Sequence, residues 1–200
     1  MAFAHRLPLH PLSRPLRAIA LFAMPLAALA VVTAPSVAHA EGGVRLTPKS
    51  DTAKSLSGDM TLKLSDVGNV DQNFVEGAAT TEKAIEAGAK TLVHKKTGLC
   101  LTLTDGAPKL ETCAGGIVKD AAYPLSPEAE KARAQNWKWA KTPDGFFQVE
   151  PLGRGCLQRD GDKLTTKSCI PAKLVEDSKA NSAIYAQLKS EYEMQKFLAW

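Results

Sequence analysis

The four cysteines are the residues whose type and spacing most clearly support chemistry, namely covalent crosslinking. They are Cys100, Cys113, Cys156 and Cys169, and a spacing of 13 positions separates the first two and also the last two. A zinc site is disfavoured because the sequence has no closely spaced C-x-x-C pair. An even number of cysteines in an exported chain is typical of disulfides. We therefore expect two disulfides, no metal site and no cofactor.

Both cysteine pairs lie within a repeated sequence unit. The two copies read TGLCLTLTDGAPKLETC and GRGCLQRDGDKLTTKSC, and both contain a D-G turn signal between the cysteines. Downstream, the first of these copies reaches Gln135-x-Trp137 and the second reaches Gln195-x-Phe197. Matches at so many positions indicate a true internal repeat, with clear copies over 90–140 and 146–200.

The repeat selects one of the three pairings that four cysteines permit. It favours Cys100–Cys113 and Cys156–Cys169, each of which would close a hairpin already formed around its D-G turn. A crosslink that closes a loop of this size stabilises a fold by roughly 3 kcal/mol in the chain-entropy model.

Residues 1–40 have the pattern of a secretory signal peptide. Three arginines and no acidic residue precede a mostly apolar stretch over 18–34, and the small-x-small tripeptide AHA ends at Ala40. A retained membrane anchor is the alternative, but Pro25 interrupts the apolar stretch, which is shorter than the roughly 20 residues of a spanning helix. We therefore predict cleavage after Ala40, a secreted or periplasmic protein, and no membrane insertion.

The charge of the remaining chain is close to neutral. Removing the three arginines of the signal leaves 22 basic residues against 21 acidic ones, so the net charge falls from +4 to +1. No basic tract with interleaved aromatic residues is present, and this argues against nucleic acid as a partner. The 160 residues after the signal are enough for one domain with a proper core.

Few residues after position 40 suit catalysis. His94 is the only histidine there and lies in a predicted strand, and neither G-x-S-x-G nor H-E-x-x-H occurs. A catalytic carboxylate pair stays open as an alternative because acidic residues are many, but no two are singled out. We predict that the protein is not an enzyme.

Short strands bounded by glycines predict an all-β domain with helical insertions. Ser126-Pro127 is a typical helix start, with a hydroxyl cap followed by proline at the first position. Ile184, Leu188 and Tyr192 recur every four residues and predict a helix with one apolar stripe. Such a stripe is more typical of core packing than of a partner site.

The region over 44–99 has a similar rhythm but lacks both cysteine and Q-x-W. It could be a degenerate first copy of the repeat, which would give three units, or a loosely attached segment. Residues 41–57 are rich in Ser, Thr, Lys and Gly, so we predict a flexible N-terminal arm there and a domain over 58–200.

The combination of G-x-C-L, a second cysteine 13 positions on and Q-x-aromatic resembles the ricin-type lectin repeat. The resemblance covers about 90–200. That family folds as a β-trefoil of three such units, in which the glutamine holds a turn and the aromatic ring fills the shared core. The resemblance implies structural roles for Gln135, Trp137, Gln195 and Phe197.

Sugar binding in that family depends on three further residues, and this sequence departs at each point. Family lectins use an aspartate two residues after the first cysteine, an aromatic platform near the second, and an asparagine close before Q-x-W. The residues at these places are instead Thr102 and Gln158, Glu111 and Lys167, and Arg133 with Ala134.

Asp105 and Asp160 are the remaining candidates for ligand contact, because each carries a carboxylate in a D-G turn. Aspartates at such positions are usually turn formers. Asp105 and Asp160 are therefore candidates for sugar contact, with turn formation as the alternative role.

A ricin-like scaffold without the usual sugar residues also resembles the A and C subunits of cytolethal distending toxin. Those are exported proteins with an N-terminal arm and a ricin-like trefoil that bind the host surface and a nuclease subunit. We predict a non-catalytic, exported, ricin-type binding module that recognises a glycan or cell surface. The alternative is a toxin assembly subunit that binds mainly protein partners.

Overall fold

The computed structural model describes residues 43–66, 68–119 and 125–198. The predicted signal peptide over 1–40 lies outside these residues. The described strands are β1 Thr47–Pro48, β2 Lys54–Leu56, β3 Leu62–Leu64, β4 Phe74–Gly77, β5 Thr91–His94, β6 Cys100–Thr104, β7 Ala107–Glu111, β8 Trp137–Lys141, β9 Phe147–Pro151, β10 Cys156–Asp160, β11 Lys163–Lys167 and β12 Lys196–Leu198.

Six of these strands form a closed antiparallel barrel. The strands β4 and β5, β8 and β9, β9 and β12, and β12 and β1 pair directly. Single bridges between Val44 and Phe74 and between Lys90 and Trp137 complete the ring between β1 and β4 and between β5 and β8. Within the described residues, every barrel strand therefore has a neighbouring strand on both sides, as closure of a sheet requires.

Three β-hairpins separate the barrel strands along the chain. They are β2–β3, β6–β7 and β10–β11, each antiparallel. The β6–β7 turn has positive φ at both Asp105 and Gly106, which is typical of a type I′ hairpin turn. The chain thus repeats the order barrel strand, hairpin, barrel strand three times, and this confirms the predicted all-β trefoil.

The core contains equivalent residues from the three copies, which cover 44–77, 90–141 and 147–198. Each copy contributes one residue from its first barrel strand or the segment leading into it, one from its hairpin and one aromatic ring. All nine side chains are fully buried: Leu46, Leu92 and Val149; Leu56, Leu101 and Leu157; Phe74, Trp137 and Phe197. Burial of these side chains supplies the main stabilisation of the barrel.

The described part of the chain has four α-helices inserted between the strands: α1 Glu82–Glu86, α2 Pro127–Ala134, α3 Ala172–Asp177 and α4 Ser182–Met194. The helix α2 begins as predicted, because the Ser126 side chain accepts a hydrogen bond from the backbone N–H of Ala129. None of the helices within the described residues is both long enough and apolar enough to span a bilayer.

The apolar stripe of α4 is only partly a packing surface. Tyr192 and Leu188 pack against Ile170 and Val175, whereas the side chain of Ile184 remains 50% exposed. The third copy therefore carries a small helical layer with its own apolar cluster, separate from the barrel core.

The start of the chain after residue 42 belongs to the trefoil, and the prediction of a flexible arm up to residue 57 is corrected. Strands β1 and β2 lie within this segment, and Leu46 and Leu56 are fully buried. The polar composition misleads because Thr47 and Ser55 are buried as well, with their hydroxyl oxygens 2.7 Å apart. A hydrogen-bonded hydroxyl pair is tolerated in a core where an unpaired hydroxyl is not.

Candidate functional site

Disulfides join Cys100 to Cys113 and Cys156 to Cys169, which is the pairing that the repeat favours. Each bond links the first strand of a hairpin to the segment that follows its second strand. Because both pairs are closed, no cysteine is available as a nucleophile or a metal ligand.

The glutamine of each predicted Q-x-aromatic holds the chain after the hairpin. The Gln135 side chain accepts a hydrogen bond from the backbone N–H of Ala114 at 2.7 Å and donates to the carbonyl of Thr112 at 2.9 Å. Gln195 makes the same pair of bonds to Ile170 and Ser168, at 3.0 and 2.9 Å. Both glutamines are fully buried, so their contacts are structural.

The first copy has its own Q-x-aromatic, Gln72-Asn73-Phe74. Gln72 accepts a hydrogen bond from the backbone N–H of Asp66 at 3.0 Å and donates to the carbonyl of Leu64 at 2.8 Å. A degenerate first copy was one of the two alternatives for this region, but a pattern restricted to tryptophan, Q-x-W, does not detect its glutamine–aromatic pair. The signal was present, since phenylalanine at the same position was accepted in the third copy.

The residues at the positions where ricin-type lectins have their sugar-binding aspartate are buried in this protein. Thr102 and Gln158 are each 2% exposed. The hydroxyl of Thr102 accepts a hydrogen bond from Gln135 at 2.9 Å, and the amide oxygen of Gln158 accepts one from Gln195 at 3.3 Å. These side chains therefore extend the structural glutamine contacts and do not face a ligand.

Asp105 and Asp160 lie at the tips of two hairpins. The Asp105 side chain is 90% exposed and has Lys109 as an ion-pair partner at 3.7 Å. Asp160 is exposed and lies opposite Lys163 in the strand register at the end of its hairpin. Neither residue lines a cavity found among the described residues. The structure thus places both at turns and brings neither next to another candidate ligand contact.

A cleft of about 350 Å³ opens beside the helices of the third copy, and we call it the third-copy cleft. Its volume lies in the lower part of the range of about 300–1,000 Å³ that is usual for small-molecule sites. It is lined by Pro143, Asp144, Ala172, Val175, Glu176, Tyr185, Lys189, Tyr192, Glu193 and Lys196. Two aromatic rings and several charged groups therefore converge on one concave surface.

Four side chains of alternating charge form a ring of ion pairs, and three of the four line the cleft. Lys196 lies 2.8 Å from Asp144 and 2.7 Å from Glu193, and Lys49 contacts the same two carboxylates at 3.0 and 2.7 Å. The Lys196 ammonium also lies 4.0 Å from the centre of the Tyr192 ring, a cation–π contact. The Lys196 side chain is only 4% exposed, so these partners compensate its loss of hydration.

The ion pairs of this ring lower the pKa values of both its carboxylates. Partial burial by itself raises the pKa of Asp144, but hydrogen bonds from Lys196, Thr142 and Lys49 outweigh it and hold that pKa well below its usual value. The pKa of Glu193 is lowered in the same way, with burial opposed by hydrogen bonds from Lys196 and Lys49. A general acid needs a raised pKa, so neither carboxylate is suited to that role.

The sole histidine after residue 40 is buried, and both of its ring nitrogens have hydrogen-bond partners. His94 is fully buried, with Nδ1 2.9 Å from the Thr97 hydroxyl and Nε2 3.0 Å from the carbonyl oxygen of Asp71. A further cavity of about 220 Å³ beside the Cys100–Cys113 disulfide has no charged side chain in its lining. The third-copy cleft is therefore the stronger candidate site.

Comparisons with known proteins support the fold and go no further. No protein-family model matches the sequence, and no curated protein matches it. A GH54 α-L-arabinofuranosidase aligns with 80% of this chain at 9% identity and a TM-score of 0.53, and the chain spans 31% of that enzyme's length. A designed 3-fold symmetric protein, ThreeFoil, aligns with 80% of this chain and 98% of its own at 13% identity and a TM-score of 0.49.

Cytolethal distending toxin from Actinobacillus actinomycetemcomitans is also similar in structure. It aligns over 63% of this chain and 79% of its own, at 15% identity and a TM-score of 0.44. Likenesses at such identities concern the fold alone. The three copies described above by themselves define the fold of this protein as a β-trefoil.

Proposed function

We propose that the protein is a non-catalytic, exported binding module whose ligand is a glycan that occupies the third-copy cleft. The observation that carries the proposal is the convergence of Tyr185 and Tyr192 with charged groups in one cavity of suitable size. An aromatic ring suits the apolar face of a sugar, and carboxylate and ammonium groups suit its hydroxyls.

Three observations support the non-catalytic and exported parts of this proposal. The pKa values of Asp144 and Glu193 are lowered, so these two carboxylates of the cleft are not suited to act as a general acid, and His94 is buried and hydrogen-bonded away from the cleft lining. The two disulfides suit an oxidising compartment outside the cytosol.

The test is glycan binding by the intact protein. We expect the wild type to bind members of a glycan array, and Tyr185→Ala to raise the dissociation constants at least about tenfold, which corresponds to about 1.4 kcal/mol. Gln187→Ala is the matched control, because Gln187 is exposed on the same helix and does not line the cleft. Silence on every glycan at high protein concentration would contradict the proposal.

A second candidate function is assembly with a protein partner, as in a multi-subunit toxin. The observation that favours it is the exposure of two apolar side chains on the helices of the third copy, Leu174 at 47% and Ile184 at 50%. An adjacent toxin-component gene whose product binds the wild type but not Leu174→Asp/Ile184→Asp would support assembly. An isolated gene would weaken it.

A further inference from the structure

We propose that the third-copy cleft selects sugars with a single negative charge, and that Lys189 is the residue that reads this charge. The inference rests on the proposed function, because it names the ligand class of the same cleft.

The first step is the balance of charge around the cleft. Asp144 and Glu193 are matched by the ammonium groups of Lys49 and Lys196. The third lining carboxylate, Glu176, pairs with Lys179, one helical turn away. Among the charged groups that line the cleft within the described residues, Lys189 alone has no carboxylate partner.

The second step is the position of Lys189 relative to the aromatic rings. Tyr185, Lys189 and Tyr192 stand at positions i, i+4 and i+7 of α4, and therefore share one face of the helix. The Lys189 ammonium lies 5.5 Å from the centre of the Tyr185 ring. An anionic group bound to this ammonium therefore places the rest of its sugar within reach of the tyrosine.

The third step is the electrostatic attraction that a charged sugar gains in the cleft and a neutral sugar does not. The paired charges offer hydrogen bonds to hydroxyls but no net attraction, whereas the uncompensated ammonium attracts one negative charge. A lysine ammonium behaves as a point charge, so a carboxylate and a sulfate ester satisfy it in the same way. The shared chemistry is a pyranose that bears one anionic group.

The experiment is calorimetric titration of the intact protein with lactose, 3′-sialyllactose, 3′-sulfolactose and a glucuronic acid disaccharide. We expect the charged sugars to bind at least about fivefold more tightly than lactose, as for a partly exposed ion pair. The preference should shrink as ionic strength rises, because salt screens such contacts. The three charged arms separate the possible sources of the anionic group.

The matched variants are Lys189→Gln and Lys173→Gln. Both remove one positive charge from an exposed position, but Lys173 does not line the cleft. We expect only Lys189→Gln to remove the preference for charged sugars. Equal binding of neutral and charged sugars that Tyr185→Ala abolishes would overturn the inference and leave the proposed function standing, whereas no binding of any sugar would contradict both.

Discussion

The first copy of the trefoil has the same hairpin as the two later copies, but the hairpin is closed by a hydrogen bond in the first copy and by a disulfide in the later two. In the first copy the hydroxyl oxygens of Ser55 and Ser65 lie 3.0 Å apart. Ser55 lies opposite Lys63 in its hairpin, and Ser65 comes two residues after Lys63. In the second copy, Cys100 lies opposite Glu111 in the same way, and Cys113 comes two residues after Glu111. A hydrogen bond thus occupies the place of a disulfide.

The comparison separates what the fold requires from what reinforces it. All three copies have a buried aromatic residue and a glutamine that binds one backbone N–H and one backbone carbonyl after the hairpin. Only two copies have the crosslink. The buried aromatic and glutamine contacts therefore define the unit, and the disulfide adds to its stability.

The copies also differ at their junctions. The first and second copies are joined by four residue pairs between β4 and β5, and the second and third by five residue pairs between β8 and β9. The junction of the third copy with the first has only two, between β12 and β1. The ring of Lys49, Asp144, Lys196 and Glu193 spans this short junction.

The largest expected effect tests whether the shared core outweighs the crosslinks. Trp137→Ala should lower the free energy of unfolding by about 3–5 kcal/mol, because it empties a fully buried site. It also removes the 2.8 Å hydrogen bond from Nε1 to the carbonyl oxygen of Leu101. Urea titration measures the loss, with the half-buried Trp139→Ala of the same strand as a control that should lose less. A nearly unchanged midpoint would mean that Trp137 is exposed and would reopen it as a ligand platform.

An intermediate effect on stability is expected when the disulfide of the second copy is replaced by a pair of serines, as in the first copy. The double variant Cys100→Ser/Cys113→Ser should fold and lose about 3 kcal/mol, since the unfolded chain regains the freedom that the crosslink removes. The converse variant, Ser55→Cys/Ser65→Cys, should gain stability in thermal unfolding under oxidising conditions and lose that gain on reduction. Failure of the serine variant to fold would show that the crosslink defines the unit after all.

The smallest effect concerns the charged junction. The pKa values of Asp144 and Glu193 are lowered in the folded protein from ordinary values of 3.8 and 4.5. Their contribution is therefore fully present at neutral pH and is lost as the pH falls below about 4. Asp144→Asn should cost about 1 kcal/mol at pH 7 and reduce the dependence of stability on acid pH. An identical pH profile for wild type and variant would show that the ion pairs of Asp144 do not stabilise the junction between the third copy and the first.

Much of the fold could be predicted from particular residues of the sequence. The two cysteine pairs with their D-G turns predicted the crosslinked hairpins, and Gln135-x-Trp137 and Gln195-x-Phe197 predicted the trefoil core. The first copy was less readable, because serines replace the cysteines and phenylalanine replaces the tryptophan. Its Ser- and Thr-rich start looks like a solvated arm until the partners of Thr47 and Ser55 are known.

The sequence by itself determined the local units, because cysteine spacing, turn residues and the glutamine–aromatic pair act over short distances along the chain. Only the tertiary structure decided that three such units close into a barrel and that a cleft forms at the third. The groups that line that cleft are far apart in sequence, since Asp144 comes from the β8–β9 turn and Tyr185 and Lys189 come from α4. Lys49, which pairs with Asp144 and Glu193, comes from the first copy. No pattern along the chain reports which charges find partners when the ends of a barrel meet, and that pairing is what leaves Lys189 uncompensated.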